Sequence, residues 1–107
     1  MPERFKIFSS IDAAEKVLPE GSPRKLILNG KPYCILRKGD GIFAMDDACP
    51  HNRASLSEGR INTFNEIICP LHEYRFDLCS GRESGLRCED LQTYPVKIET
   101  EGVFMSL

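Results

Sequence analysis

Short apolar segments separated by turn residues recur along this chain at intervals of roughly ten residues, the spacing of a small all-β domain. Within Lys31–Arg37 the alternation places Tyr33 and Ile35 on one face of a strand. Asn29-Gly30, just before that segment, is a strong signal for a tight hairpin turn. The pattern predicts an antiparallel sandwich or barrel. Its predicted strands are Phe5–Phe8, Arg24–Leu28, Lys31–Arg37, Ile42–Met45, Glu66–Ile68, Tyr74–Leu78, Tyr94–Ile98 and Val103–Leu107.

One segment, Ser10–Leu18, has the pattern of a helix. Ser10 can cap its N-terminus, and acidic Asp12 suits the positive end of the helix dipole. Pro19 cannot continue a helix and ends it. The sequence thus predicts one short helix beside the strands.

The composition sets the size and broad class of the protein. With 107 residues and a formal net charge of −2, the chain should form a single domain over residues 1–107. Lysine and arginine occur at most in pairs, which argues against nucleic acid as a partner. The N-terminus lacks a signal-peptide pattern and no apolar run is long enough to span a membrane, so we expect a cytoplasmic protein with no membrane partner. Five cysteines, an odd number, favour metal binding over a disulfide framework in that compartment.

Both histidines of the chain stand next to cysteines. The first pair is Cys49-Pro50-His51 and the second is Cys69-Pro70-Leu71-His72, with 17 residues between His51 and Cys69. Thiolate and imidazole are the ligands of zinc and of some iron–sulfur centres. Zinc would take all four side chains in one tetrahedron, whereas a Rieske-type centre gives two cysteines to one iron and two histidines to the other. The residues alone leave both alternatives open.

The wider surroundings of the two pairs favour the second alternative. Ala48-Cys49-Pro50-His51 followed by Leu56-Ser57-Glu58-Gly59 resembles the first loop of soluble Rieske ferredoxins. The second loop is similar in Cys69-Pro70-Leu71-His72 and in the residues that follow, Tyr74-Arg75-Phe76-Asp77 and Ser80-Gly81. The resemblance covers the chain from about residue 24 to residue 107 and is weakest before residue 24.

The resemblance implies an all-β base with a small cluster-binding subdomain, at about residues 46–82, inserted between base strands. It implies one [2Fe–2S] cluster per chain, with Cys49 and Cys69 on one iron and His51 and His72 on the other. In such ferredoxins the histidines lie near the surface, where an electron can leave through the edge of an imidazole.

The expected role is that of a one-electron carrier without a substrate site of its own. No histidine remains for a mononuclear iron site, and there is no Gly-x-Gly-x-x-Gly fingerprint for a dinucleotide. The resemblance implies a monomer that accepts electrons from an NAD(P)H-dependent flavoprotein reductase and passes them to a terminal oxygenase. The alternatives are the small subunit of an assimilatory nitrite reductase, which commonly lacks the cluster ligands, and a zinc-stabilised interaction module.

The residues near the pairs also predict a low reduction potential. High-potential relatives carry an additional disulfide between the two loops, at positions that here hold Ala54 and Leu71. They also place serine and tyrosine hydroxyls near the cluster sulfurs, where this chain has Tyr74 and Phe76, so fewer donors stabilise the reduced charge.

Glu73 stands where many relatives have glycine, which indicates a backbone conformation that glutamate does not easily adopt.

Overall fold

The computed structural model describes residues 4–107. Within these residues, ten strands form three antiparallel sheets, and one α-helix packs beside them. The elements are β1 (Arg4–Phe8), α1 (Ile11–Val17), β2 (Arg24–Leu28), β3 (Lys31–Lys38), β4 (Gly41–Asp46), β5 (Arg60–Ile61), β6 (Glu66–Ile68), β7 (Arg75–Asp77), β8 (Thr93–Tyr94), β9 (Val96–Glu99) and β10 (Gly102–Ser106). The predicted all-β fold is confirmed, and the predicted single helix is α1.

The largest sheet has the strand order β2-β3-β4-β8. The turn between β2 and β3 is the predicted one, with φ of 51° at Asn29 and 79° at Gly30. Positive φ at two successive positions matches the right-handed twist of the paired strands, which explains why Asn-Gly occurs there.

β3 separates two hydrophobic cores. Tyr33 and Ile35 pack with α1 and with β10, whereas Cys34 and Leu36 face the opposite side and pack with residues of the two cysteine–histidine loops. All four side chains are buried, so the middle of this strand has no face toward solvent. The two cysteine–histidine loops therefore pack on one face of β3, and α1 and β10 pack on the other.

A second sheet, in the order β1-β10-β9, closes the base. α1 begins where the sequence predicted, because the hydroxyl of Ser10 accepts a hydrogen bond from the backbone N–H of Ala13 at 3.1 Å. Ala14 and Leu18 bury the inner face of the helix in the core that contains Ile35.

The strand predicted over Tyr94–Ile98 is divided in the structure. β8 ends at Tyr94 and pairs with β4, whereas β9 begins at Val96 and pairs with β10. Pro95 lies between them and has no N–H to donate to a ladder, so the chain changes sheets there.

The third sheet, β5-β6-β7, lies between β4 and β8 in sequence. A 3₁₀ turn at Leu56–Glu58 leads into it, and neither this turn nor β5 was predicted from the sequence. Ile67 and Phe76 attach the sheet to the core beneath the two loops.

Within residues 4–107 we find no helix whose length and apolar content would suffice for crossing a membrane.

Candidate metal centre

The first cysteine–histidine loop leaves the end of β4 and returns on itself. Ala48 and Ser55 form an antiparallel bridge, and the N–H of Cys49 donates to the carbonyl of Ala54 at 2.9 Å. Inside this closure the N–H of Arg53 donates to the carbonyl of Cys49 at 2.7 Å. These bonds fix the backbone of Cys49 and so direct its thiol into the interior, where it is fully buried.

A buried carboxylate at Asp47 holds the far end of this loop. Its Oδ2 accepts a hydrogen bond from the hydroxyl of Ser55 at 2.6 Å, and its Oδ1 accepts one from the N–H of Ser57 at 2.9 Å. The ammonium group of Lys25 lies 3.7 Å from the same carboxylate. A charge this deeply buried needs such partners, so Asp47 ties the loop to β2.

The second loop is the tip of the β6–β7 hairpin. It is closed by a 2.8 Å hydrogen bond from the N–H of Cys69 to the carbonyl of Tyr74. His72 and Glu73 both adopt left-handed backbone conformations, with φ of 64° and 53°. The sequence-based concern about Glu73 is thus confirmed, since this is a position that favours glycine. The side chain of Glu73 points outward and pairs with Arg60 at 2.7 Å.

The two loops bring three of the four predicted ligands together. One ligand atom from each of Cys49, His51 and Cys69 lies within 4.8 Å of the others. Both cysteines are fully buried and His51 is partly buried. His72 is exposed and does not join this group, but its ring lies edge-on to that of His51 with 5.3 Å between centroids.

The polar atoms around this group indicate an absent ligand. Nδ1 of His51 is buried and has no hydrogen-bond partner among residues 4–107, a costly state unless a metal takes its lone pair. Burial raises the pKa of the Cys49 thiol to about 11, although backbone N–H groups of His51 and Asn52 directed at it act in the opposite sense. A metal ion would replace the thiol proton, and the same N–H groups would then donate to the thiolate. The residues fit a metal centre of two thiolates and imidazole nitrogen.

A stack of side chains extends from His51 away from the two thiols. The ring of Tyr74 lies parallel to that of His51, 3.7 Å between centroids and 15° between planes. The guanidinium carbon of Arg87 lies 3.7 Å from the centroid of the Tyr74 ring. Arg87 in turn forms an ion pair with the fully buried carboxylate of Glu83 at 2.9 Å.

Sequence reasoning did not single out Arg87 or Glu83. It considered only the hydroxyl of Tyr74, whereas the contact with His51 is made by the ring.

The three cysteines outside the motif are placed as follows. Cys34 is a buried core residue, Cys79 is exposed, and Cys88 is partly buried against the core that contains Cys49 and Cys69.

Fold and site together define a class of small all-β proteins that carry a metal centre between two cysteine–histidine loops. A comparison with protein-family models matches residues 9–95 to the Rieske [2Fe-2S] domain. The chain belongs to this family, whose cofactor is a Rieske [2Fe–2S] cluster.

Named relatives are ferredoxin components of dioxygenase systems. The chain is 37% identical over 91 residues to the ferredoxin component of the naphthalene 1,2-dioxygenase/salicylate 5-hydroxylase systems of Ralstonia sp., covering 84% of this chain and 86% of the relative. It is 36% identical over 99 residues to the corresponding component of the 2,4-dinitrotoluene dioxygenase system of Burkholderia sp. (strain RASC), covering 91% and 94%.

Solved structures share the fold. A chain from the complex of reduced oxygenase and oxidized ferredoxin in carbazole 1,9a-dioxygenase superposes with a TM-score of 0.79 at 28% identity, over 96% of this chain and 92% of that one. Structures described as small subunits of nitrite reductases also superpose, at 21% and 18% identity, a likeness that shows the fold alone.

Proposed function

We propose that Cys49 and Cys69 bind one iron, and His51 and His72 the other, of a single [2Fe–2S] cluster. On this basis the protein is a one-electron carrier that accepts electrons from an NAD(P)H-dependent flavoprotein reductase and delivers them to a terminal oxygenase. The relatives named as ferredoxin components support this role.

The position of His72 is the observation that carries the ligand assignment. A single tetrahedral zinc ion would need all four ligand atoms within about 4 Å of one another. The ligand atoms of Cys49, His51 and Cys69 lie within 4.8 Å of one another, wider than this limit, and His72 lies beside His51 but outside the group. A centre that extends over two metal ions accommodates this arrangement, which favours iron–sulfur over a structural zinc site.

The burial of the ligands fits an electron carrier. When bound, the cluster supplies reversible one-electron chemistry at the end of the protein where the two loops meet. The N–H groups of His51 and Asn52 directed at the sulfur of Cys49 stabilise the negative charge gained on reduction. The buried cysteines exclude water, while the exposed ring of His72 gives a partner protein close access.

The remaining features of the proposal concern the setting of the protein. We assign residues 46–82 to a cluster-binding subdomain, because they contain both loops and the separate β5-β6-β7 sheet. A reducing cytoplasm suits Cys79, whose exposed thiol would be open to oxidation elsewhere.

Metal and sulfide analysis of purified protein tests the proposal. We expect two irons and two labile sulfides per chain, with a low average g value in the electron paramagnetic resonance spectrum of the reduced form. Cys69→Ser should lose the cluster, while the matched control Cys79→Ser should retain it, because Cys79 lies outside the ligand group. A colourless protein loaded with zinc, or a Cys69→Ser variant that keeps both irons, would refute the assignment.

A further inference from the structure

We propose that Glu83, Arg87 and Tyr74 form a positioning element for His51, which fixes its ring and places a positive charge toward the metal centre. The element raises the reduction potential above the value that the same two loops would give without it. This inference rests on the proposed function, since it requires that His51 is a ligand.

The geometry of the stack follows from two distances. The ring of His51 and the guanidinium group of Arg87 each lie 3.7 Å from the centroid of the Tyr74 ring. Two groups at van der Waals distance cannot occupy the same face of one ring, so they lie on opposite faces. Tyr74 is thus held between a cation and an imidazole. The face of His51 that it covers is closed to solvent, whereas the ring of His72 is exposed.

Glu83 determines where the cation sits. Its carboxylate is fully buried and accepts hydrogen bonds from the N–H of Arg87 at 2.6 Å, the N–H of Gly85 at 2.7 Å and the guanidinium group of Arg87 at 2.9 Å. The hydrogen bond from the Arg87 side chain is the main cause that lowers the pKa of Glu83 to about 2, so the carboxylate is ionised at neutral pH. Glu83 consequently holds both the backbone N–H and the guanidinium group of Arg87, which leaves the side chain little freedom to move away from the Tyr74 ring.

The orientation of this ion pair gives the sign of its effect. The guanidinium group contacts Tyr74, which contacts His51, whereas Glu83 holds Arg87 from the protein interior. The positive end of the pair is therefore the end directed at the stack. A cation near the centre stabilises the electron gained on reduction, and because 47% of the Arg87 side chain is exposed, solvent screens part of this effect.

Redox titration of the cluster-loaded protein and four variants tests this inference. Arg87→Gln removes the charge and should lower the midpoint potential, while Arg87→Lys keeps the charge and should stay closer to the wild type. Arg24→Gln is the matched control, because Arg24 is an exposed residue of β2 whose side chain donates to the carbonyl of Pro23 and takes no part in the stack. Tyr74→Leu keeps the ion pair but removes the ring, so it should lower the potential and broaden the resonance lines of the reduced protein through a less ordered His51.

Iron and sulfide are counted in every sample first. A wild-type protein without a cluster would refute the proposed function itself. With a loaded wild type, a shift in Arg87→Gln no larger than that in Arg24→Gln would overturn only the positioning element. If Arg87→Gln does not fold, Tyr74→Leu decides, and a potential and line shape equal to those of the wild type would overturn the inference.

Discussion

The N–H of Cys69 donates to the carbonyl of Tyr74 across the tip of the β6–β7 hairpin, at 2.8 Å. The bond leaves four residues to complete the turn, and two of them, His72 and Glu73, take left-handed conformations. The position of the His72 ring thus depends on a left-handed backbone at His72 itself and at Glu73.

A pair of substitutions at Glu73 separates this strain from the ion pair with Arg60. Both Glu73→Ala and Glu73→Gly remove the ion pair, but only glycine adopts a φ of 53° without steric cost. We expect Glu73→Gly to be more stable than Glu73→Ala by about 1 kcal/mol in chemical denaturation. Equal stabilities would mean that the loop relaxes elsewhere and that Glu73 is not strained.

Asp47 allows a test of the first loop. Asp47→Ala leaves the N–H of Ser57 and the hydroxyl of Ser55 without their acceptor, so we expect a loss of about 1–3 kcal/mol in the free energy of unfolding. The loosened loop should also release iron faster when a chelator is added. Asp90→Ala is the control, because Asp90 is exposed near the same loop. Equal iron release from both variants would show that Asp47 does not hold the loop.

Much of the base of the fold could be predicted because local signals coincide there. In β2 and β3 the alternation of side chains, the Asn-Gly turn and the strand lengths agree, and the predicted bounds of β2 match the structure. β5 has two residues, and it exists because β6 provides a partner. Such a strand has no periodicity of its own, so the sequence could not show it.

The residues of the site also fall into those that the sequence predicts and those that only the structure reveals. The four predicted ligands stand out because cysteine and histidine occur together at short spacing. Arg87 lies in a stretch without regular structure, and its contact with Tyr74 depends on how the chain returns after β7. The ring stacking on His51 therefore could be found only from coordinates.

The residues near the sulfurs predict a midpoint potential below zero, toward the lower end of the Rieske range of about −150 to +300 mV. Phe76 is fully buried in the core that contains Cys49 and Cys69, and its ring has no hydroxyl to donate. Phe76→Tyr should add a donor to this core and raise the potential measured by redox titration. Phe104→Tyr, in β10 of the base, should leave it unchanged. A wild-type potential well above zero would contradict the prediction.

Glu83 predicts how stability depends on pH. Its pKa is lowered from 4.5 to about 2, chiefly by the hydrogen bond from Arg87, so the folded protein favours the ionised form. A depressed pKa contributes stability that is complete above 4.5 and is lost as the pH falls toward 2. Glu83→Gln resembles the protonated state and cannot gain this contribution at any pH.

We therefore expect Glu83→Gln to be less stable than the wild type at pH 7 by about 1–3 kcal/mol, because the N–H groups and Arg87 lose a charged acceptor. The difference between the two midpoints of thermal unfolding should shrink below pH 4.5, the ordinary value for this carboxyl group. Glu15→Gln, on the exposed face of α1, should show a small difference without this trend. A Glu83→Gln deficit that stays constant from pH 7 to pH 3 would mean that the carboxylate charge does not stabilise the stack on His51.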